Sequence, residues 1–230
     1  MSTFEKQTFE FFDDFETGKT FSDLAFVKCH FIGCAFSSTQ EVKSRSIARN
    51  IEFIDCEITG GFIGPGIVEE VLIHGLKVRN HFQTFGTVFK HVTVKGKINK
   101  LMLTPYIDLS GCFPDVQEAF NRSNQAYYKD VDWAVDISEA DFTDCDLRGI
   151  PSRLIRRDKE TQVVIKRDKV IRAEWRKIDL SNTYWKVAIE KFLKDEFEDC
   201  VLVAPKKSSE FKVLLDGLNK LRDFGVAEID

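Results

Sequence analysis

The sequence predicts a mainly β chain. Residues 1–150 read as a right-handed parallel β-solenoid with irregular coils and a helical insertion near 115–128, and residues 151–230 as a small α/β C-terminal cap or subdomain. Three observations lead there. Phenylalanine, 21 of 230 residues, is placed regularly rather than scattered. Large apolar residues recur at a spacing of five, which fits neither the 3.6-residue period of a helix nor the two-residue period of a flat strand. That spacing then returns further along the chain, near the length of one coil.

The clearest block begins at Phe21 and reads FSDLAFVKCHFIGCAF, with Phe at 21, 26, 31 and 36 and Leu24, Cys29 and Cys34 two residues before each later ring. A period of five suits a square coil, in which each side points one large and one small side chain inward before the chain turns. The same pattern recurs as Phe53/Cys56/Ile58, Ile73/Leu76/Val78, Phe89/Val92/Val94, Phe142/Cys145/Leu147 and Leu180/Thr183/Trp185. From Phe31 to Phe89 the copies start 22, 20 and 16 residues apart. Stacked coils would bury a continuous Phe/Cys/Ile ladder and pair the backbone between turns. A sandwich of short strands is the competing reading, because period-two segments such as Phe89–Val94 suit it equally well.

The blocks FVKCHFIGCAF (26–36) and ISEADFTDCDL (137–147) resemble the pentapeptide-repeat family, whose five-residue unit has a central Leu or Phe preceded two positions earlier by a small residue. Ala140 before Phe142 and Cys145 before Leu147 follow that rule. Residues 60–105 keep the coil spacing and lose the five-residue register. The resemblance implies a rigid scaffold, and some family members act as DNA mimics against topoisomerases.

Pro114 and Asp115 open an amphipathic stretch with Val116, Ala119, Phe120 and Tyr127 on one face, which predicts a helix of about 14 residues. Residues 153–177 read as a charged hairpin with strands at Leu154–Ile155 and Val163–Ile165. From Thr183 to Phe197, Trp185, Ile189, Phe192, Leu193 and Phe197 fall at helical spacing, and the strand CVLVAP follows. A last helix starts near Ser208 or Ser209, carries Phe211, Leu214, Leu215, Leu218 and Leu221 on one face, and stops at Gly225. These 80 residues would cover the open end of the coils.

Composition excludes several function classes. The net charge of −4 leaves no global basic field for nucleic acid or an anionic membrane. No apolar run approaches a membrane span. The start MSTFEKQTFEFFDDFE is acidic and unlike a secretory signal, so a cytoplasmic protein is expected. Cys29, Cys34, Cys56, Cys112, Cys145 and Cys200 have no CxxC spacing and read as small, reduced core residues. His30, His74, His81 and His91 read as surface or turn residues. His74 and His91 could approach each other on one wall, without the ligand company a metal needs. GGFIGPG (60–66) lacks the Lys-Ser/Thr of a phosphate loop and reads as a corner. No cofactor is expected.

Charge segregation is the informative functional signal. Residues 153–177 hold ten Lys/Arg against four acids, and residues 113–146 hold nine acids against Arg122 and Lys129. One reading is mutual compensation; the other is a surface that orients a charged partner. On the second reading Arg153, Arg156, Arg157, Lys166, Arg167, Asp130 and Asp132 are the candidate binding residues. With no catalytic signature present, the expectation is a non-enzymatic binding protein with a protein partner, of which a toxin-neutralising immunity protein is one form. The alternatives are a DNA-mimic inhibitor of a DNA-processing enzyme, and an enzyme with its site at the junction of the two parts, using Arg156, Arg157 or Lys166 to hold an anion.

Overall fold

The computed structural model describes residues 1–107, 113–195 and 197–228. Cys112 lies outside them. The chain is mainly β, built on one large sheet whose described pairings are all parallel. The first row comprises β1 (Ser2–Glu5), β2 (Thr8–Glu10) and β3 (Asp13–Phe15), followed by β4 (Thr20–Val27) and β5 (His30–Ser38). Then come β6 (Ile47–Ile63), β7 (Ile67–Arg79), β8 (Gln83–Phe85) and β9 (Val88–Thr104). Register runs Ser2 to Leu24, Thr20 to Ile47, Ile47 to Ile67 and Ile67 to Val88. Strands β6, β7, β9 and β8 pair in a closed parallel cycle. Because pairing is parallel throughout this sheet, the competing sandwich of short strands, which is built from antiparallel pairs, is set aside.

The five-residue period appears in the backbone as bends. Asp23, Lys28 and Gly33, then Asn50, Asp55 and Gly60, then Glu70, Gly75 and Asn80 all have positive φ, each five residues after the last. A left-handed residue turns an extended chain sharply, so one bend falls between successive inward side chains. Inside, the rings of Phe4, Phe26 and Phe53 stack at 5.4 and 5.2 Å, and Phe9 stacks on Phe31 at 5.2 Å. Beside them the Cys29 and Cys56 thiols donate to the Phe4 and Phe26 carbonyls, each at 3.3 Å. Further along the rows Ile73, Val78 and Val94 replace the rings. GGFIGPG is a place of close backbone approach: a Cβ on Gly61 would fall inside the contact radius of the Cys34 carbonyl oxygen.

The inserted helix is α1 (Pro114–Tyr127). Its Phe120 is fully buried, and Arg45, 6% exposed, ties it to the large sheet. The Arg45 guanidinium donates to the carbonyls of Pro65 (2.6 Å) and Gly66 (3.0 Å) and to Asn124 Oδ1 (2.9 Å), and lies 5.6 Å from the Phe120 ring. After the helix the parallel rows resume with β10 (Val135–Asp136), β11 (Ala140–Leu147) and β12 (Ile155–Arg156). Val92 pairs with Val135, and Val135 with Ile155.

The expected 153–177 hairpin is not formed. Strand β12 joins the parallel sheet, whereas β13 (Gln162–Lys166) pairs antiparallel with β14 (Asp199–Val203), and Arg167–Arg172 is helix α2. The physical reason is that β13 is apolar on both faces. Val164, Val201 and Val203 pack into the core of the large sheet, while Val163, Ile165 and Leu202 belong to a second core. That core is closed by α3 (Trp185–Lys194) and α4 (Phe211–Asp223), where Trp185 Nε1 donates to the Leu214 carbonyl at 2.9 Å. The Trp185 ring lies flush against Gly217, where any side chain would collide with it. Leu180/Thr183/Trp185, read above as a coil copy, lies in this second core as a turn and the start of α3.

Candidate interaction surface

On one wall of the sheet, four successive rows bring Glu70, His91, Trp133 and Arg156 together. Glu70 and His91 occupy equivalent bends in β7 and β9, with φ of 52° and 55°. Residues without β-branching tolerate this conformation better than β-branched ones, and both side chains lie on the outer wall, Glu70 55% exposed. The next row is the segment between a 3-10 turn (Tyr128–Asp130) and β10. It is held by His91 N to Trp133 O (3.2 Å), Val92 N to Ala134 O (2.9 Å) and Ala134 N to Leu154 O (2.8 Å). Arg156 follows on β12.

The side chains interlock. His91 Nδ1 meets Glu70 Oε1 and His91 Nε2 meets Asp132 Oδ1, both at 2.6 Å. The imidazole stacks on the Trp133 indole at 4.7 Å with 25° between planes. The Arg156 guanidinium lies over the same indole, 4.2 Å from its centroid. A hydrogen bond to Asp132, supported by Glu70, raises the His91 pKa, and the same bond lowers that of Asp132. Protonated, His91 donates from both ring nitrogens and keeps no lone pair for a metal. Among the described residues no group of three or more His, Cys, Asp or Glu forms a metal site. The outer rim is wet, with the Asp132 side chain 71% and the Glu70 side chain 55% exposed. What results is an aromatic platform with a cation over it, flanked by both charges.

Of the residues nominated from sequence, Asp132 and Arg156 meet in this cluster. Arg153 and Asp130 flank it: the exposed Arg153 donates to the Tyr128 carbonyl at 3.3 Å in the same turn that carries Asp130. Arg157 follows Arg156 and is half-buried. Lys166 and Arg167 sit elsewhere. Lys166 pairs with Glu228 at 2.7 Å. Arg167 caps the end of α3, donating to the carbonyls of Phe192 (3.0 Å), Leu193 (3.2 Å), Asp195 and Phe197 (2.8 Å), so its donors are occupied by backbone. His74 lies opposite Lys95 in register and does not share a bend with His91.

Sequence reasoning missed Trp133, His91 and Glu70 as one group. Coil spacing would have aligned Glu70 with His91, but the inserted helix breaks the count before Trp133. Charge compensation also follows another path than expected. Asp141 pairs with Lys207, and Asp146 with Arg148 and Lys191. In the basic segment Lys169 reaches Glu228, and Arg172 and Lys177 pair locally with Asp168 and Glu174.

A shallow cavity of about 320 Å³, with no platform residue in its lining, lies between the Asp179–Thr183 turn and α4. Its cations are Lys212 and Lys220, neither of which sequence analysis nominated. No helix of the described residues is long and apolar enough to cross a membrane. Comparison with protein-family models, with curated proteins and with solved structures finds no match to this chain.

Proposed function

We propose that the chain is a non-enzymatic protein-binding protein. On this reading its β part is a right-handed solenoid of pentapeptide-repeat type, and the Trp133 platform is its principal contact. The single observation that carries the reading is the stack of Arg156 and His91 on Trp133, rimmed by Asp132 and Glu70. A half-buried aromatic centre with an exposed charged rim of this type supplies specificity through complementary charge and affinity through the ring. The enzyme reading has weaker support, because Lys166 is engaged by Glu228 and Arg156 by Trp133, away from the cavity beside α4. A finer form of the proposal, resting on fold analogy alone, is an immunity protein that occludes a toxin.

The test is affinity capture from the native cell with the wild-type chain and the variants Arg156→Glu and Trp133→Ala, each first shown to melt cooperatively. The reading expects one dominant protein partner, captured by the wild type and lost with both variants. Capture that is unchanged by both, or turnover of a metabolite by the purified chain with no partner captured, would overturn it.

A further inference from the structure

The two ends of the large sheet differ. At the C-terminal end β13 and β14 pack over the last rows, and Lys207 N donates to the Phe142 carbonyl at 2.9 Å. At the other end, among the described residues, β1 pairs only with β4, and β2 and β3 only with β5, leaving their outer edge open. Natural proteins usually blunt such an edge or cover it. Here it carries Phe11, Phe12 and Phe15, which are 76%, 48% and 61% exposed.

Phe11 is the informative residue. With φ of 53° it is the one apolar side chain among the described non-glycine residues of positive φ, where the other bends hold Lys, Glu, Asp, Ser, Asn or His. A bulky ring in the left-handed region is strained, and Asn would sit there with less cost. Its ring lies over Gly33 and is open to solvent, so neither backbone preference nor core burial accounts for it. Near it in sequence are the exposed carboxylates Glu10, Asp13 and Glu16, while Lys6, the one basic residue of positions 1–16, is already paired with Glu5 at 3.3 Å.

We propose that the open edge of β2, ending at the Phe11 bend, docks an extended cationic segment of a partner protein as a short added strand. Edge backbone groups would supply the hydrogen bonds, the Phe side chains the apolar contact, and the carboxylates pairing for Lys or Arg on the incoming strand. Charge decides against a second copy of this chain, since an edge-to-edge pair would set Glu10, Asp13 and Glu16 against their own counterparts. The surface is separate from the Trp133 platform and does not depend on it.

The test measures anisotropy of a fluorescently labelled acetyl-(Lys-Val)4-amide peptide titrated with the full chain at low and moderate salt. Saturable binding is expected, at least tenfold weaker for Phe11→Asn and for the double variant Glu10→Lys/Asp13→Lys. Phe11→Asn should melt at or above the wild-type temperature, which separates lost recognition from lost folding. Trp133→Ala should bind the peptide as the wild type does, so this proposal and the platform reading fail independently. Equal binding of acetyl-(Glu-Val)4-amide, wild-type affinity in the Phe11 and charge variants, or undiminished affinity for a peptide N-methylated at alternate residues would overturn it. So would sedimentation showing that the edge instead joins two copies and that Phe11→Asn separates them.

Discussion

Replacing Arg45 by methionine sets two comparable effects against each other. The guanidinium is 6% exposed, and its hydrogen bonds go to neutral acceptors: the carbonyls of Pro65, Gly66 and Gly86, Ser123 Oγ and Asn124 Oδ1. After Arg45→Met, Gly66 O still accepts from Val88 N, and Gly86 O still accepts from Asn124 Nδ2. The Pro65 carbonyl loses its donor, at a cost of about 1–3 kcal/mol if it stays dry. In the other direction, burial has lowered the Arg45 pKa to about 10, which corresponds to roughly 3 kcal/mol against the charged form. Methionine keeps an apolar stem against Phe120 without that penalty. The terms nearly cancel, so Arg45→Met should change stability by no more than about 1–2 kcal/mol, a Tm shift of a few degrees. Arg45→Ala also removes the stem and should cost about 2–5 kcal/mol more. The folded pKa lies well above neutrality, so both results should hold from pH 6 to 8. Urea unfolding of the three proteins, read by far-UV circular dichroism, measures the difference. If the methionine variant falls as far as the alanine variant, the hydrogen bonds outweigh desolvation and the reasoning fails.

Three further outcomes are expected. Because the His91 pKa is raised in the folded state, the cluster's contribution is fully present below the unfolded value of about 6.5 and is lost as pH rises through the folded value. The stability gap between wild type and His91→Asn, which tolerates the same bend, should therefore shrink from pH 5.5 to pH 9, and a constant gap would contradict the ion pairs. Gly61→Ala should cost on the order of 4 kcal/mol because its Cβ collides with the Cys34 carbonyl. Gly60→Ala, also at positive φ but with open space around it, should cost only about 1–2 kcal/mol, and equal losses in thermal melts would refute the steric argument. Arg148 is held by Asp146 and Asp195 at 3.0 Å each, and both carboxylates are largely buried. Arg148→Met should cost about 3–5 kcal/mol, mainly by taking the guanidinium from buried Asp195, since Asp146 keeps Lys191 at 3.2 Å, and chemical denaturation at pH 7 would register the loss.

The rows of β4 to β7 were legible because each bend demands an outward residue at positive φ between inward-facing Phe, Cys or Ile, and that demand writes a five-residue rhythm into the chain. The α1, α3 and α4 helices were legible from the 3.6-residue rhythm. In the 153–177 segment the strand at Val163–Ile165 was legible and its pairing was not: the charges suggested an exposed hairpin, whereas Val163, Val164 and Ile165 are apolar on both sides and form a strand shared by two cores. The Leu180/Thr183/Trp185 spacing misled because three apolar-compatible residues at +3 and +5 also occur where a turn enters a helix. In the site, Asp132 and Arg156 were legible only as members of the oppositely charged segments 113–146 and 153–177. Trp133 was not legible, since one aromatic in a short segment reads equally well as core.

Local sequence, then, determined the parallel β rows' inward side chains, the inserted helix and the helical C-terminal part, since each depends on periodicity within a few residues. Only tertiary structure decided which rows become neighbours across the inserted helix, and so that His91 meets Trp133 and Asp132. Only it decided that β13 turns away from β12 to pair with β14, because that choice rests on two cores burying opposite faces of one strand. It also decided that one end of the sheet is covered and the other, bearing Phe11, is open.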